Sequence, residues 1–189
     1  LENQGLNTVR LRLWHSPSSP HSGFKEVKEF SEVLRAKGLK VWLSVHYSDQ
    51  WADPGNQKLP VAWENLSFDI LSDSVYRYTQ RIVLEIETDF IQIGNEINTG
   101  FLHPQGHLIN EETQVLNLVE TAIHASRAAK SETKIILHFA GTEGASWFYE
   151  KVNLLDYDLI GLSYYPWWHG KSLDSLNFTF KSFEDFSTF

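Results

Sequence analysis

Phe90-Ile91-Gln92-Ile93-Gly94-Asn95-Glu96 is a short apolar run that breaks at a glycine and delivers an amide and a carboxylate. Its first four residues, three of them β-branched or aromatic, suit a strand, and the polar pair falls at the C-terminal end. The same grammar recurs on both sides. Upstream, Thr8-Val9-Arg10-Leu11-Arg12-Leu13-Trp14 alternates Val9, Leu11 and Leu13 with Arg10, Arg12 and Trp14, so the two sets belong to opposite faces of a strand. Residues 39–46 form another strand, ending in His46 and running into Tyr47-Ser48-Asp49. Downstream, Lys134-Ile135-Ile136-Leu137-His138 and Leu159-Ile160-Gly161-Leu162-Ser163-Tyr164 complete a set of five.

Amphipathic segments separate these runs. Phe24, Val27, Phe30, Val33 and Leu34 recur at helical spacing, and Gly38 stands where a left-handed cap belongs. Ser67 is placed as the N-cap of the next helix, with Asp69 in its first turn and Leu71, Val75, Tyr78 and Ile82 as its buried stripe. Asn110 is expected to cap a third helix whose Val115, Leu118, Val119, Ala122 and Ile123 face inward. A short helix over residues 147–151 and a helical tail from Ser172, with Leu173, Leu176, Phe180 and Phe183 apolar, complete the series.

Strands separated by helices pair in parallel through right-handed crossovers. Five such units fit a doubly wound sheet or part of a barrel, and the polar residues separate the two. Trp14, His46, Glu96, His138 and Tyr164 mark the C-terminal end of every strand. A barrel gathers all those ends around one mouth, whereas a doubly wound sheet uses only those beside its switch point. The chain is therefore an α/β protein with an incomplete (β/α)8 TIM barrel, read as one catalytic domain over residues 1–189. It starts at Leu1, holds no methionine and opens inside what reads as a helix end, which suggests an excerpt, the alternative being a mature secreted chain.

Bulk chemistry narrows the function. With 42% hydrophobic and 21% charged residues, the balance is that of a globular domain. A net charge of -8 disfavours a nucleic-acid backbone or an anionic membrane as partner. The absence of cysteine removes disulfides, zinc-thiolate sites and thiol nucleophiles. The chain holds seven tryptophans, and many of its aromatics (Trp14, Tyr47, Trp51, Tyr164, Tyr165, Trp167 and Trp168) cluster beside His, Asp and Pro just after strands, as sugar-stacking surfaces do, whereas Phe30 and Tyr78 read as core.

Glu96 is the sharpest chemical candidate. Glycosidic cleavage needs a protonated carboxyl beside the leaving oxygen and a second carboxylate across the sugar. A glutamate at a barrel mouth among apolar groups has its ionised form disfavoured. Asn95 can hydrogen-bond a sugar 2-hydroxyl; the plainer reading of Asn-Glu is a solvated loop pair. Arg10 and Arg12 share a face, where they either close a salt bridge or hold a nucleophilic carboxylate ionised; Arg12, nearer the strand end, is favoured. His46, His138 and His169 follow three strands, and a metal site is the competing reading, against hydrogen-bonded structural or substrate-contact histidines. Trp51, Trp63, Trp167 and Trp168 are stacking candidates, with rim packing the alternative for Trp63.

Several blocks together resemble glycoside hydrolase family 53, the endo-β-1,4-galactanases. They are Val9-Arg10-Leu11-Arg12-Leu13-Trp14, His46-Tyr47-Ser48-Asp49-Gln50-Trp51-Ala52-Asp53-Pro54-Gly55, Pro60-Val61-Ala62-Trp63, Gln92-Ile93-Gly94-Asn95-Glu96-Ile97-Asn98, and Ile160-Gly161-Leu162-Ser163-Tyr164-Tyr165-Pro166-Trp167-Trp168-His169-Gly170. The resemblance implies a secreted or periplasmic, monomeric retaining hydrolase of β-1,4-galactan that needs no cofactor or metal, apart from calcium in a later loop of some members. It makes Glu96 the acid/base and the strands present the second to sixth of the barrel, with the first, seventh and eighth outside. The nucleophile, a glutamate ending the seventh strand, is then absent, and the excerpt alone is inactive. Asn95, Arg12, His46, Tyr164, Trp51, Asp53, Trp167, Trp168 and His169 are implied as substrate-binding or positioning residues. Glu143, Glu184 and Asp185 read as solvated charges. Ser44 stands where the family usually carries aspartate, and Ala140-Gly141-Thr142-Glu143-Gly144 replaces a familiar loop. A non-catalytic galactan-binding barrel and another retaining barrel glycosidase of the same clan are the alternative readings.

Overall fold

A computed structural model describes residues 5–183 of the chain. Strands β1 (Thr8–Leu13), β2 (Lys40–Val45), β3 (Phe90–Ile93), β4 (Lys134–Ala140) and β5 (Leu159–Ser163) form one sheet in sequence order. Every pairing is parallel. Between them run α1 (Phe24–Ala36), α2 (Phe68–Ile86), α3 (Glu112–Ala129) and α4 (Ala145–Val152), with a 3-10 turn at Val61–Trp63. The short helix α5 (Pro166–His169) and then α6 (Leu173–Ser182) follow β5.

The register explains the two faces. Arg12 pairs with Ser44 and Ser44 with Gln92, so polar residues of β1, β2 and β3 line up on one face, where β4 then contributes the apolar Ile136. The residues between them, Leu13, Leu43, Val45, Ile91, Ile93, Ile135 and Leu137, are buried on the other face. There they pack with the inward stripes of α2 (Leu71, Val75, Ile82) and α3 (Val115, Leu118, Val119, Ala122, Ile123) in one core. Burying each such side chain contributes roughly 1.5–3 kcal/mol, which makes the helix-covered face the stabilising one.

Some local expectations change. Phe30 and Val33 are 47% and 49% exposed, so the buried side of α1 reduces to Val27, Ser31 and Leu34. Gly38 does adopt a left-handed φ of 74°, one residue after the cap Lys37. Asn110 is not a cap; α3 starts after Glu111, whose side chain makes no capping hydrogen bond. Ser67 caps α2 by position, again without a side-chain bond, whereas Ser172 Oγ accepts the N–H of Asp174 and caps α6. β4 runs two residues past His138, because Phe139 and Ala140 continue the ladder with Leu162 and Ser163 of β5, and Asn98 Oδ1 also accepts Ala140 N–H at 2.8 Å. Tyr164 lies just beyond β5, which ends at Ser163. On α6, Leu173 and Phe180 are exposed and Phe183 is buried at its end. Glu184 and Asp185 lie outside the described residues.

The Tyr149 hydroxyl sits within 2.9 Å of Leu137 O and 2.8 Å of Gly161 O, so one donor is shared by β4 and β5. Tyr149→Phe should lower stability by about 1–2 kcal/mol, seen as an earlier midpoint in chemical denaturation. Beyond β3 the chain turns through Gly94 at φ 73°, where a Cβ would lie 2.3 Å from Ile97 Cγ2. Gly94→Ala combines a left-handed penalty with a clash. Its expected cost is about 2 kcal/mol or more, with a lower Tm in thermal melting.

Candidate active site

The polar face gathers its charges where β1, β2 and β3 end. Arg10 donates from Nη2 to Asn95 Oδ1 and Gln92 Oε1, each at 2.9 Å, and more weakly to Ser44 Oγ at 3.3 Å. Its Nε reaches Gln92 Oε1 at 3.2 Å, and the guanidinium carbon stands 5.4 Å from the Trp42 ring centroid. Gln92 Nε2 in turn donates to Ser44 Oγ and Gly94 O. Asn95 is buried and donates from Nδ2 to Ala52 O at 2.8 Å. Burial draws the Arg10 pKa below the usual arginine value, while Tyr165 and Glu96 act the other way.

Glu96 follows directly, with 7% of its surface exposed and a left-handed φ of 53°. A non-glycine residue in that region is uncommon and needs outside support. His138 Nδ1 accepts its N–H at 3.0 Å, and Gln57 Nε2 donates to the carbonyls of Asn95 and Glu96 at 2.8 and 3.1 Å. Desolvation raises the pKa of its carboxyl, and Asp53 adds to the rise. A hydrogen bond with Ser163 and the charges of Arg10 and His169 oppose it. The net direction is upward, so the carboxyl keeps its proton to higher pH than a free glutamate does.

His46 is buried, and its Nδ1 accepts the N–H of Ala52 at 3.0 Å. Burial, then Arg10 and Arg12, press its pKa down to about 3, so it is neutral with its hydrogen on Nε2. His138 is likewise held near 3 by burial and then by Arg10 and His46. His169 Nδ1 accepts the N–H of Tyr165. Each of the three rings therefore commits Nδ1 to the main chain, and no cluster of His, Asp or Glu suited to a metal ion forms among the described residues.

Other sequence candidates scatter more widely. Arg12 donates to Ser22 Oγ at 2.9 Å, and its guanidinium carbon lies 4.9 Å from the Trp14 ring and 5.8 Å from the Trp51 ring. It belongs to the rim, whereas Arg10 holds Asn95. The Tyr164 hydroxyl donates to Gly170 O and Ser172 O, and the neighbouring Tyr165 is the tyrosine that acts on Arg10. Trp63 is 6% exposed and packs edge-on to His15 and Tyr78, so it is rim packing and not a stacking surface. Trp51 is partly open, and Trp167 and Trp168 are 84% and 72% exposed. Asp53 closes a tight turn, with Oδ1 accepting Gly55 N–H. Glu143 is exposed.

A cleft of about 640 Å³ opens beside Arg10, Arg12, Ser44, His46, Trp51 and Asn95 and extends between β1 and α1 to Val27 and Phe30. Glu96 lies outside its lining, so the cleft marks the β1 side of the site and not the carboxyl itself. Gln92, Gln57, Ser163 and Tyr165 are site residues that the sequence reading did not single out. The period-two pattern of β3 carried the signal for Gln92, since it shares a face with Ser44 and Arg12 through the register.

Comparison with known proteins places this geometry. Residues 1–187 match the family model described as Glycosyl hydrolase family 53. The chain is 35% identical over 188 residues to an Endo-beta-1,4-galactanase of Bacillus subtilis (strain 168), covering 90% of this chain and 43% of that protein. It is 31% identical over 191 residues to the Arabinogalactan endo-beta-1,4-galactanase of Cellvibrio japonicus (strain Ueda107), covering 92% and 51%. The solved Ignisphaera aggregans GH53 catalytic domain superposes with a TM-score of 0.88 at 33% identity, over 96% of this chain and 54% of that one. The chain spans about half the length of these relatives. With its parallel strands presenting Asn95 and Glu96 at their C-terminal ends and a family model matched over residues 1–187, the chain belongs to glycosyl hydrolase family 53.

Proposed function

We propose that the protein containing this chain is an endo-β-1,4-galactanase and that Glu96 is its acid/base. The observation that carries the reading is the Glu96 carboxyl itself, largely withdrawn from water at a strand end, its pKa raised by desolvation, beside an amide gripped by Arg10. The names of the Bacillus and Cellvibrio relatives supply the substrate class.

In this scheme Glu96 gives its proton to the leaving glycosidic oxygen as the bond to the anomeric carbon breaks. A second carboxylate forms the glycosyl ester from the opposite face, roughly 5–5.5 Å away. Glu96, now ionised, takes a proton from the incoming water, which displaces that carboxylate and restores the configuration. The family resemblance assigns the nucleophile to a later strand. Arg10, which makes no ion pair among the described residues, is the cation suited to keep it ionised. Asn95 spends one Nδ2 hydrogen on Ala52 and offers the other to the sugar 2-hydroxyl. His46 borders the reacting sugar as a neutral donor through Nε2. Trp51, Trp167 and Trp168 stack on galactose rings, and Asp53 and His169 bracket the acid.

No cofactor enters this reaction. A polysaccharide substrate too large to cross a bilayer supports a secreted or periplasmic location for the enzyme. No helix among the described residues is long and apolar enough to span a membrane.

Glu96→Gln in the full-length protein should cut galactan hydrolysis by about a hundredfold or more while leaving galactan binding in place. The raised Glu96 pKa also sets a direction. kcat/KM should fall as pH rises through that pKa, and the residual rate of Glu96→Gln should lack this alkaline limb. Retained full activity in Glu96→Gln would remove the assignment, and binding without any hydrolysis by the unsubstituted protein would leave a carbohydrate-binding barrel.

A further inference from the structure

His138 and Ser163 take no part in the proton transfers just described, yet both engage Glu96. His138 is buried on β4 and pairs in register with Gly161 of β5. A Cβ at Gly161 would stand only 3.0 Å from His138 Cδ2, so the bare backbone is what lets the imidazole lie against β5. His138 Nδ1 accepts the main-chain N–H of Glu96 at 3.0 Å. An accepting ring nitrogen carries no hydrogen, so the neutral ring holds its hydrogen on Nε2. Ser163 Oγ lies 3.0 Å from that Nε2 and receives it. The serine hydrogen is thereby released from the histidine, leaving the Ser163 hydroxyl free to donate to the Glu96 carboxyl, whose ionised form it favours. The circuit starts and ends on one residue, at its backbone through one ring nitrogen and at its side chain through the other.

We propose that Ser163, its hydroxyl oriented by His138, is a positioning residue that donates to the Glu96 carboxylate and holds it in one orientation. This rests on Glu96 being the acid/base, and it assigns roles to two residues beyond the acid itself. The direction of donation matters. A hydroxyl donor stabilises the ionised carboxyl, the form required to accept a proton from water in the second half of the cycle. It therefore counteracts the desolvation that favours the protonated form.

The other groups facing Glu96 are Asp53 from the loop after β2, Arg10 from β1 and His169 from α5. Asp53 favours protonation, and Arg10 and His169 favour ionisation. His138 is neutral well below the range where Glu96 titrates, so its hydrogen pattern does not change there. Ser163 is thus a constant donor while Glu96 cycles between its two forms.

The test is the Glu96 titration in the full-length protein, read from δ-carbon-labelled glutamate by NMR and assigned with Glu96→Gln. It is run beside the kcat/KM–pH profile on galactan. Ser163→Ala should move the Glu96 midpoint upward, and with it the alkaline limb. The ratio of kcat/KM on that limb to kcat/KM at the optimum should rise about threefold to tenfold. Ser163→Thr, which keeps the hydroxyl, should restore the original midpoint. His138→Asn keeps an acceptor for the Glu96 N–H but removes the Nε2 donor, and should give a smaller shift of the same sign. A midpoint unmoved in Ser163→Ala, or moved equally in Ser163→Thr, overturns the proposal, and an unmoved His138→Asn removes the histidine from it. The NMR midpoints decide the relay even if the unsubstituted protein fails to hydrolyse galactan, an outcome that would sink the galactanase reading alone.

Discussion

Arg10 puts a full charge where three strands end, and each of its hydrogen-bond partners is neutral. Hydrogen bonds from a charged donor stabilise more than neutral ones, and although Arg10 keeps part of its surface in water, its guanidinium head directs its inner edge at three neutral acceptors. Gln92, Ser44 and Asn95 supply them from β3, β2 and the turn after β3. The consequence reaches beyond stability. A cation beside Asn95 leaves one sensible orientation for its amide, with Oδ1 toward the guanidinium and Nδ2 toward Ala52 O. The residue before Glu96 is therefore set electrostatically, and the carboxylate inherits that placement through one peptide unit.

The same short segment carries backbone strain. Gly94 and Glu96 are both left-handed, and Tyr47 at the end of β2 is as well. For a non-glycine residue each such conformation costs on the order of 1–3 kcal/mol. At Glu96 the opposing contributions are visible: His138 takes the N–H, Gln57 holds the carbonyl, and Gly94 gives the turn room before Ile97. A relaxed extended backbone would carry Glu96 along the strand direction. The left-handed turn instead keeps its N–H on His138, where the β4 and β5 side chains reach it.

The strands, their parallel order and the inward stripes of α2 and α3 were legible because burial imposes a period on the sequence. Exposure on α1 was not, since Phe30 and Val33 have helical spacing whatever they meet. The choice between Arg10 and Arg12 shows a different limit. Arg12 is nearer the strand end along the backbone, but a strand side chain leans along the strand and arginine is long. Arg10 reaches past its own register partner Trp42 to the level of Ser44 and Asn95, while Arg12 overshoots to Ser22 and the Trp14 and Trp51 rings. Backbone position locates a residue type, and the neighbouring acceptors decide where a long side chain ends. Trp63 and Tyr164 teach the same lesson, because their partners His15, Tyr78, Gly170 and Ser172 lie on segments whose proximity no spacing reveals.

The electrostatics of the site follow from which charges have partners. Arg10 makes no ion pair among the described residues, whereas Glu26 faces Arg12 at the outer side of the cleft and Glu96 is biased toward its neutral form. The inner side of the site, around Arg10, is thus the part short of negative charge. A carboxylate brought beside Arg10 would be ionised by it, and its charge would in turn raise the proton affinity of Glu96. Two carboxyls that began alike would be driven apart, one anionic and one protonated, which is the division a retaining glycosidase needs. The Arg10 guanidinium, without an ion pair among the described residues, and the Glu96 carboxyl with its raised pKa are therefore two halves of a single electrostatic arrangement, linked through Asn95.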